Sequence, residues 1–223
     1  VQEVITHALT TLLHETISLT GAGRTDSGVH ASCYYAHFNS EHQFSIEEIK
    51  NLIYRLNSFL PSDIVIYTIF SVAPEAHARF DAIERTYCYY ITTQKNPFVL
   101  NRAYRIYFQP DIIKMNLCCD ELKKHSDFTS FSKLHTDTKT NNCIITHALW
   151  KEENGLLVFE ITANRFLRNM VRAIVGTLLE VGRGKLDNEE FLAIILSKDR
   201  CKAGTSVPAH ALFLENILYP FIN

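Results

Sequence analysis

Apolar residues recur with helical spacing at Val1, Val4, Ile5, Ala8, Leu9, Leu12 and Leu13, with no Ser, Thr, Asp or Asn ahead of the first of them. The pattern predicts an amphipathic helix whose cap, and whatever came before it, is missing. Residues 17–21 and 31–38 then read as strands on either side of a glycine-rich turn. Ser45, with Glu48 three positions on, forms a capping box and announces a second helix. Ile46, Ile49, Leu52, Ile53 and Leu56 form its buried face, and Pro61 is its stop. The β-branched and aromatic runs DIVIYTIF (63–70) and TYCYYITT (86–93) predict two further strands.

The punctuation in NPFVLNRAY (96–104) predicts a domain break near residue 105, giving an N-terminal domain 1–105 and a C-terminal domain 106–223. The second half continues with a helix over 111–125, DFTSF (127–131) and an irregular polar segment at 133–142. A hairpin of 144–150 and 156–163 follows, turned through Asn154-Gly155. Asn164 is placed to cap a helix reaching Gly182, with Met170, Val171, Ile174, Val175, Leu178 and Leu179 on its apolar face. Asp187 and Glu190 repeat the capping box for a short last helix. Helices and strands interspersed in both halves make the fold class α+β.

With 47% hydrophobic residues over 223 positions, the chain can bury a substantial core. A net charge of -2 excludes a protein that coats nucleic acid by bulk charge, so any basic surface must be local. The six cysteines contain no C-x-x-C pair and suggest a reducing compartment. No apolar run reaches membrane-spanning length. The expectation is a soluble, cytoplasmic protein.

The turn GAGRTDSGVHA (21–31) sets Arg24 two residues before Asp26 between glycines. It lacks the glycine spacing of a dinucleotide fingerprint and the Gly-Lys-Ser/Thr of a phosphate loop. Asp26-Ser27-Gly28 matches the aspartic protease triplet, but that chemistry needs two such carboxylates and the chain has one. The bland alternative is a surface ion pair that fixes a turn, contributing below about 1 kcal/mol. Arg165, Arg168 and Arg172 stand at i, i+3 and i+7, so a continuous helix would carry three guanidiniums on one face, suited to phosphate or to solvent. Tyr87, Tyr89 and Ile91 share one face of their strand, with Cys88 and Tyr90 on the other. Such tyrosines serve core packing or base stacking. His30, His77 and His210 have no metal-ligand spacing, and no metal is implied.

GAGRTDSGVHA closely resembles the active-site signature of the tRNA pseudouridine synthase A family. RLNSFLPSDI (55–64), AHARFDAIERTYCYYI (76–91), DFTSF, NRFLRNMVRAIVGTLLEVG (164–182) and AGTSVPAHALFLENILYP (203–220) resemble further blocks in family order. The resemblance implies a cofactor-free isomerase that turns uridine into pseudouridine at positions 38, 39 and 40 of the tRNA anticodon arm. It further implies the pseudouridine synthase fold, two α+β domains with antiparallel and mixed sheets joined across a central basic cleft. A homodimer would bind tRNA, with no membrane partner.

By the family pattern Asp26 is the catalytic carboxylate, as nucleophile at C1′ or base at C2′. Arg172 is its ion-pair partner, Tyr87 stacks on the target uracil, and Arg24 holds RNA backbone or helps flip the base. Arg165 and Arg168 are the remaining candidates for tRNA contacts. Three departures stand out. The family's first strand, with its Tyr-Asp-Gly region, is absent ahead of Val1, Lys139 stands where an arginine is usual, and Ala211 replaces a glycine. A catalytically inactive tRNA-binding relative and an Asp-Gly-loop hydrolase are the competing readings.

Overall fold

A computed structural model describes residues 1–133 and 140–222. Its helices are α1 (Gln2–Leu13), α2 (Ile46–Phe59), α3 (Ile112–Leu122), α4 (Met170–Gly182) and α5 (Asn188–Ser197). The strands are β1 (Thr20–Gly21), β2 (His30–Ala31), β3 (Ala36–His37), β4 (Glu84–Thr92), β5 (Tyr104–Arg105), β6 (Ile145–Glu153), β7 (Leu156–Ala163) and β8 (Leu212–Leu218). Lys139 and most of the polar segment 133–142 lie outside the described residues.

Two compact units share the chain. One comprises Val1–Arg24 with Tyr35–Ala82, the other Thr25–Tyr34 with Ile83–Asn223. The division therefore falls after Ala82, where the sequence punctuation pointed to residue 105. Tyr104 and Arg105 pair in parallel with Ile91 and Thr92, which ties that stretch into the second unit's sheet.

In the first unit, α1 and α2 bury Ala8, Leu9, Leu52 and Leu56 together with Ile17, Leu19 and Leu60. The Ser45–Glu48 capping box forms as expected, and Leu60 follows the helix as its cap residue before Pro61. Ile46, read as part of the buried face, is exposed because it sits at the first helical position, outside the stripe set by Leu52 and Leu56. Residues 63–70 do not join a ladder. Ile64, Ile66 and Ile69 pack on the core, but the Ile66 backbone bonds the Asn57 side chain at both its N–H and its C=O. β-Propensity supplied the inward alternation, and the side-chain amide took the place of a partner strand.

The strand expected over 31–38 divides between the units. β3 pairs antiparallel with β1, while β2 pairs parallel with β8. The N–H groups of Ser32 and Cys33 both donate to the Leu214 carbonyl, ending the β2 pairing at a kink.

Among the described residues the second unit carries a six-stranded mixed sheet in the order β2-β8-β4-β7-β6, with β5 continuing alongside β4 beyond the end of β8. The β6–β7 hairpin turns at Asn154 and Gly155, both at positive φ, as that dipeptide favours. Tyr89 and Ile91 on β4, Phe159 and Ile161 on β7 and most of α4 form one core with α3 and α5. Burial of so many α4 side chains, at about 1.5–3 kcal/mol for each large one, fixes that helix firmly. Gly182 does not stop α4 by adopting positive φ. It remains helical beside Met115 and Pro110, where a Cβ would collide, and Gly184 carries the positive φ instead.

Candidate active site

Asp26 opens a tight turn in which its carbonyl accepts from the Val29 N–H, with Gly28 at φ 85°. That torsion in the third place of the turn falls naturally to glycine, and Ala209 stands close above it. Two residues further on, β2 locks onto Phe213 and Leu214 of β8. The carboxylate therefore projects from a loop anchored to the sheet on its C-terminal side.

The helix expected from Asn164 does not start there. Asn164 spends its side chain on the Ile144 N–H, and α4 begins only at Met170, after the left-handed Asn169. Arg165 and Arg168 thus lie on an irregular approach to the helix, and the proposed three-arginine helical face does not exist. Asn164 has the side chain of a capping residue, but the N–H of Ile144, just ahead of β6, claims its Oδ1.

The bend nevertheless brings two of the three arginines to Asp26. Arg172, in the first turn of α4, places Nη1 2.8 Å from Asp26 Oδ2. Arg168 Nε stands 3.6 Å from Oδ1. The Asp26 and Arg172 side chains are 22% and 20% exposed, whereas Arg168 is 60% exposed, so the first pair is shielded and the second faces water. Arg172 is also gripped from behind. Its Nε donates to the Val207 carbonyl at 2.7 Å, and its own carbonyl accepts from the Val207 N–H at 3.2 Å. Arg165 lies instead near Cys143, whose thiol is pushed up to about 11 by burial, against the pull of that guanidinium. Arg24 belongs to the first unit and is exposed there.

Tyr87 lies on β4 between Ile161 of β7 and Leu214 of β8, the same Leu214 that pairs with Ala31. A β-bulge interrupts the β4–β8 register between Thr86 and Tyr87, a device that re-aims side chains beside sites. The ring packs on the core edge-to-face with Phe166, centroids 5.2 Å apart. Burial pushes the Tyr87 hydroxyl up to about 12; Arg85 opposes this shift, and Tyr34 and Asp26 add to it. Tyr87 and Asp26 thus share one electrostatic neighbourhood.

Sequence reasoning did not single out Val207 or Phe166. Val207 acts through its main chain, which leaves no side-chain signature, and Phe166 reads as ordinary core in a block dominated by arginines.

A sequence model of a family described as tRNA pseudouridine synthase matches residues 121–220. A tRNA pseudouridine synthase A of Parabacteroides distasonis is 56% identical over 223 residues, covering 99% of this chain and 86% of that protein. This chain belongs to the tRNA pseudouridine synthase A family. The relative of the same name in Bacteroides thetaiotaomicron is 54% identical, across 99% of this chain and 82% of its own length. One from a Thermoanaerobacter strain is 38% identical, across 98% and 89%. The α+β architecture with its mixed sheet agrees with the pseudouridine synthase fold of the family. Among the described residues, no helix is long and apolar enough to cross a membrane.

Proposed function

We propose that this chain isomerises uridine to pseudouridine in tRNA, at positions 38, 39 and 40 of the anticodon arm, with Asp26 as the carboxylate acting at the sugar. The observation that carries the reading is Asp26 itself, paired to Arg172 at 2.8 Å on a glycine turn within the electrostatic reach of Tyr87. In the reaction the C1′–N1 bond breaks and a C1′–C5 bond forms. The C5 proton leaves and N1 gains one, so substrate and product are isomers and no electrons are exchanged. A shielded carboxylate whose cation is fixed by the backbone is suited to act at C1′ or C2′ without being drawn into solvent.

Tyr87 is assigned to stack on the extruded uracil, since a base taken out of its helix needs an aromatic platform. Arg168, being largely exposed, is suited to a phosphate, and Arg165 and Arg24 are assigned to RNA contacts with it. Free cysteines throughout support a cytoplasmic location, and the homodimer rests on the family resemblance.

The test uses tRNA tritiated at uridine C5. Tritium released from tRNAs with uridine at positions 38–40, and not from transcripts with cytidine there, supports the reading. Release that ignores those positions overturns the assigned target.

A further inference from the structure

Residues 203–207, which follow α5 and precede β8, form a strap along α4, and the ion-paired arginine is fastened to its end. The Gly204 N–H donates to Thr177 Oγ1 at 2.9 Å, and Gly176 and Gly204 meet so closely that a Cβ on either would strike backbone. At the far end Val207 exchanges two hydrogen bonds with Arg172. Between these anchors the strap is held by Arg200. Its Nη1 donates to the carbonyls of Ala203 and Gly204 at 3.3 and 3.2 Å, and its Nη2 donates to Ser206 Oγ at 2.9 Å. Ser206 Oγ accepts a second bond, at 2.6 Å, from Nδ2 of Asn169, the left-handed residue that turns the chain into α4 between Arg168 and Arg172.

We propose that Arg200 is a positioning residue for the isomerisation, acting on Asp26 only through the strap and Arg172. This proposal rests on the reading of Asp26 and Arg172 given above. A guanidinium has a rigid planar fork, so one side chain fixes the spacing of three acceptors that a flexible amine would hold loosely. Ser206, with both lone pairs engaged, cannot rotate away, and the next residue presents the carbonyl that aims Arg172. Loosening the strap lets the Val207 carbonyl drift, and Arg172 turns with it.

Displacements on the scale of an ångström in a positioned group cost up to about 100-fold in rate. Arg200→Met is therefore expected to lower kcat about 10- to 100-fold with KM for tRNA within about twofold, and Arg200→Lys to recover part of the loss. The deciding measurement is the same substitution in an Arg172→Lys background. Lysine retains a cation for Asp26 but lacks the Nε that grips Val207, so the strap has nothing left to aim. There Arg200→Met should leave kcat unchanged, at equal folded fraction by circular dichroism.

An equal loss in both backgrounds overturns the proposal and makes Arg200 merely structural. If Arg200→Met does not fold, Ser206→Ala carries the same comparison, removing the shared acceptor alone. Asp26→Asn run alongside separates the two failures. Full turnover in that variant sinks the reading of Asp26, while lost turnover with additive Arg200 and Arg172 effects sinks only the role of Arg200.

Discussion

Arg172 Nη1 lies 2.8 Å from Asp26 Oδ2 across 146 residues of sequence. Each end is fixed before they meet. Asp26 rides a glycine turn whose continuation is paired to β8, and Arg172 stands in a buried helix with its Nε tied to Val207. Freezing a free arginine costs side-chain entropy of about 1.5–2 kcal/mol, and the Val207 bond offsets part of that before the carboxylate is engaged. The pair is thus preorganised, as a reacting group near a sugar requires.

Asp26→Asn is expected to abolish tritium release while leaving tRNA affinity within a few fold. The amide matches the carboxylate in shape and can still accept from Arg172, so fold and binding have little reason to change. Phosphate contacts, not this group, should supply most of the affinity. A variant that turns over at the wild-type rate would remove Asp26 from the chemistry.

Tyr87→Phe should keep stacking and binding, because the ring is retained, and slow turnover if the hydroxyl serves proton transfer at C5. Tyr87→Leu should damage both, since the flipped base loses its platform. The hydroxyl also gives a pH signature. Burial raises it from 10.0 to about 12, so the unfolded chain releases this proton first as pH rises. Its contribution to stability is fully present below pH 10 and is lost as pH climbs through about 12. Denaturation midpoints followed over that range should fall more steeply for wild type than for Tyr87→Phe, and parallel curves would contradict the assignment.

Much of this was legible because it was local. The capping boxes of Ser45 and Asp187 and the turn at Asn154-Gly155 satisfy their own backbone groups within a few residues, and the structure contains all three. Asp26, Arg172 and Tyr87 were legible through the resemblance, and the first two do meet. What failed needed a distant partner. Residues 63–70 lack a ladder because Asn57 bonds Ile66, and Asn164 does not cap α4 because Ile144 claims its side chain. The span 31–38 divides because two different strands recruit its two ends. Arg168 reached Asp26 even so, by a loop and not by helical periodicity.

Replacing Arg165 and Arg168 singly by Ala should weaken tRNA binding and flatten its dependence on salt. Each lost phosphate contact lowers the slope of log K against log salt by about 0.7 to 0.9. Because the two lie on irregular chain and not on one helical face, their effects should be separable. An unchanged slope for either residue returns it to the solvated surface. Arg168→Ala carries a second readout, since its Nε also stands 3.6 Å from Asp26. A loss of kcat beyond the change in binding would mark that proximity as functional.

Gly176→Ala tests whether the close seating of residues 203–207 matters for rate. A Cβ at Gly176 would run into the Thr205 carbonyl, which is backbone and has no rotamer to escape into. α4 is buried along nearly its whole length and has little room to retreat, so the displacement should fall on the strap. Overpacking of this kind typically costs about 1–3 kcal/mol, which a denaturant midpoint would register. The stability loss alone would not distinguish the strap from any other packed segment. Turnover of the folded fraction does: as Val207 shifts, Arg172 should lose its aim and kcat should fall, with KM for tRNA nearly constant. Wild-type kcat in a destabilised but folded variant would show that Arg172 finds Asp26 without help from the strap.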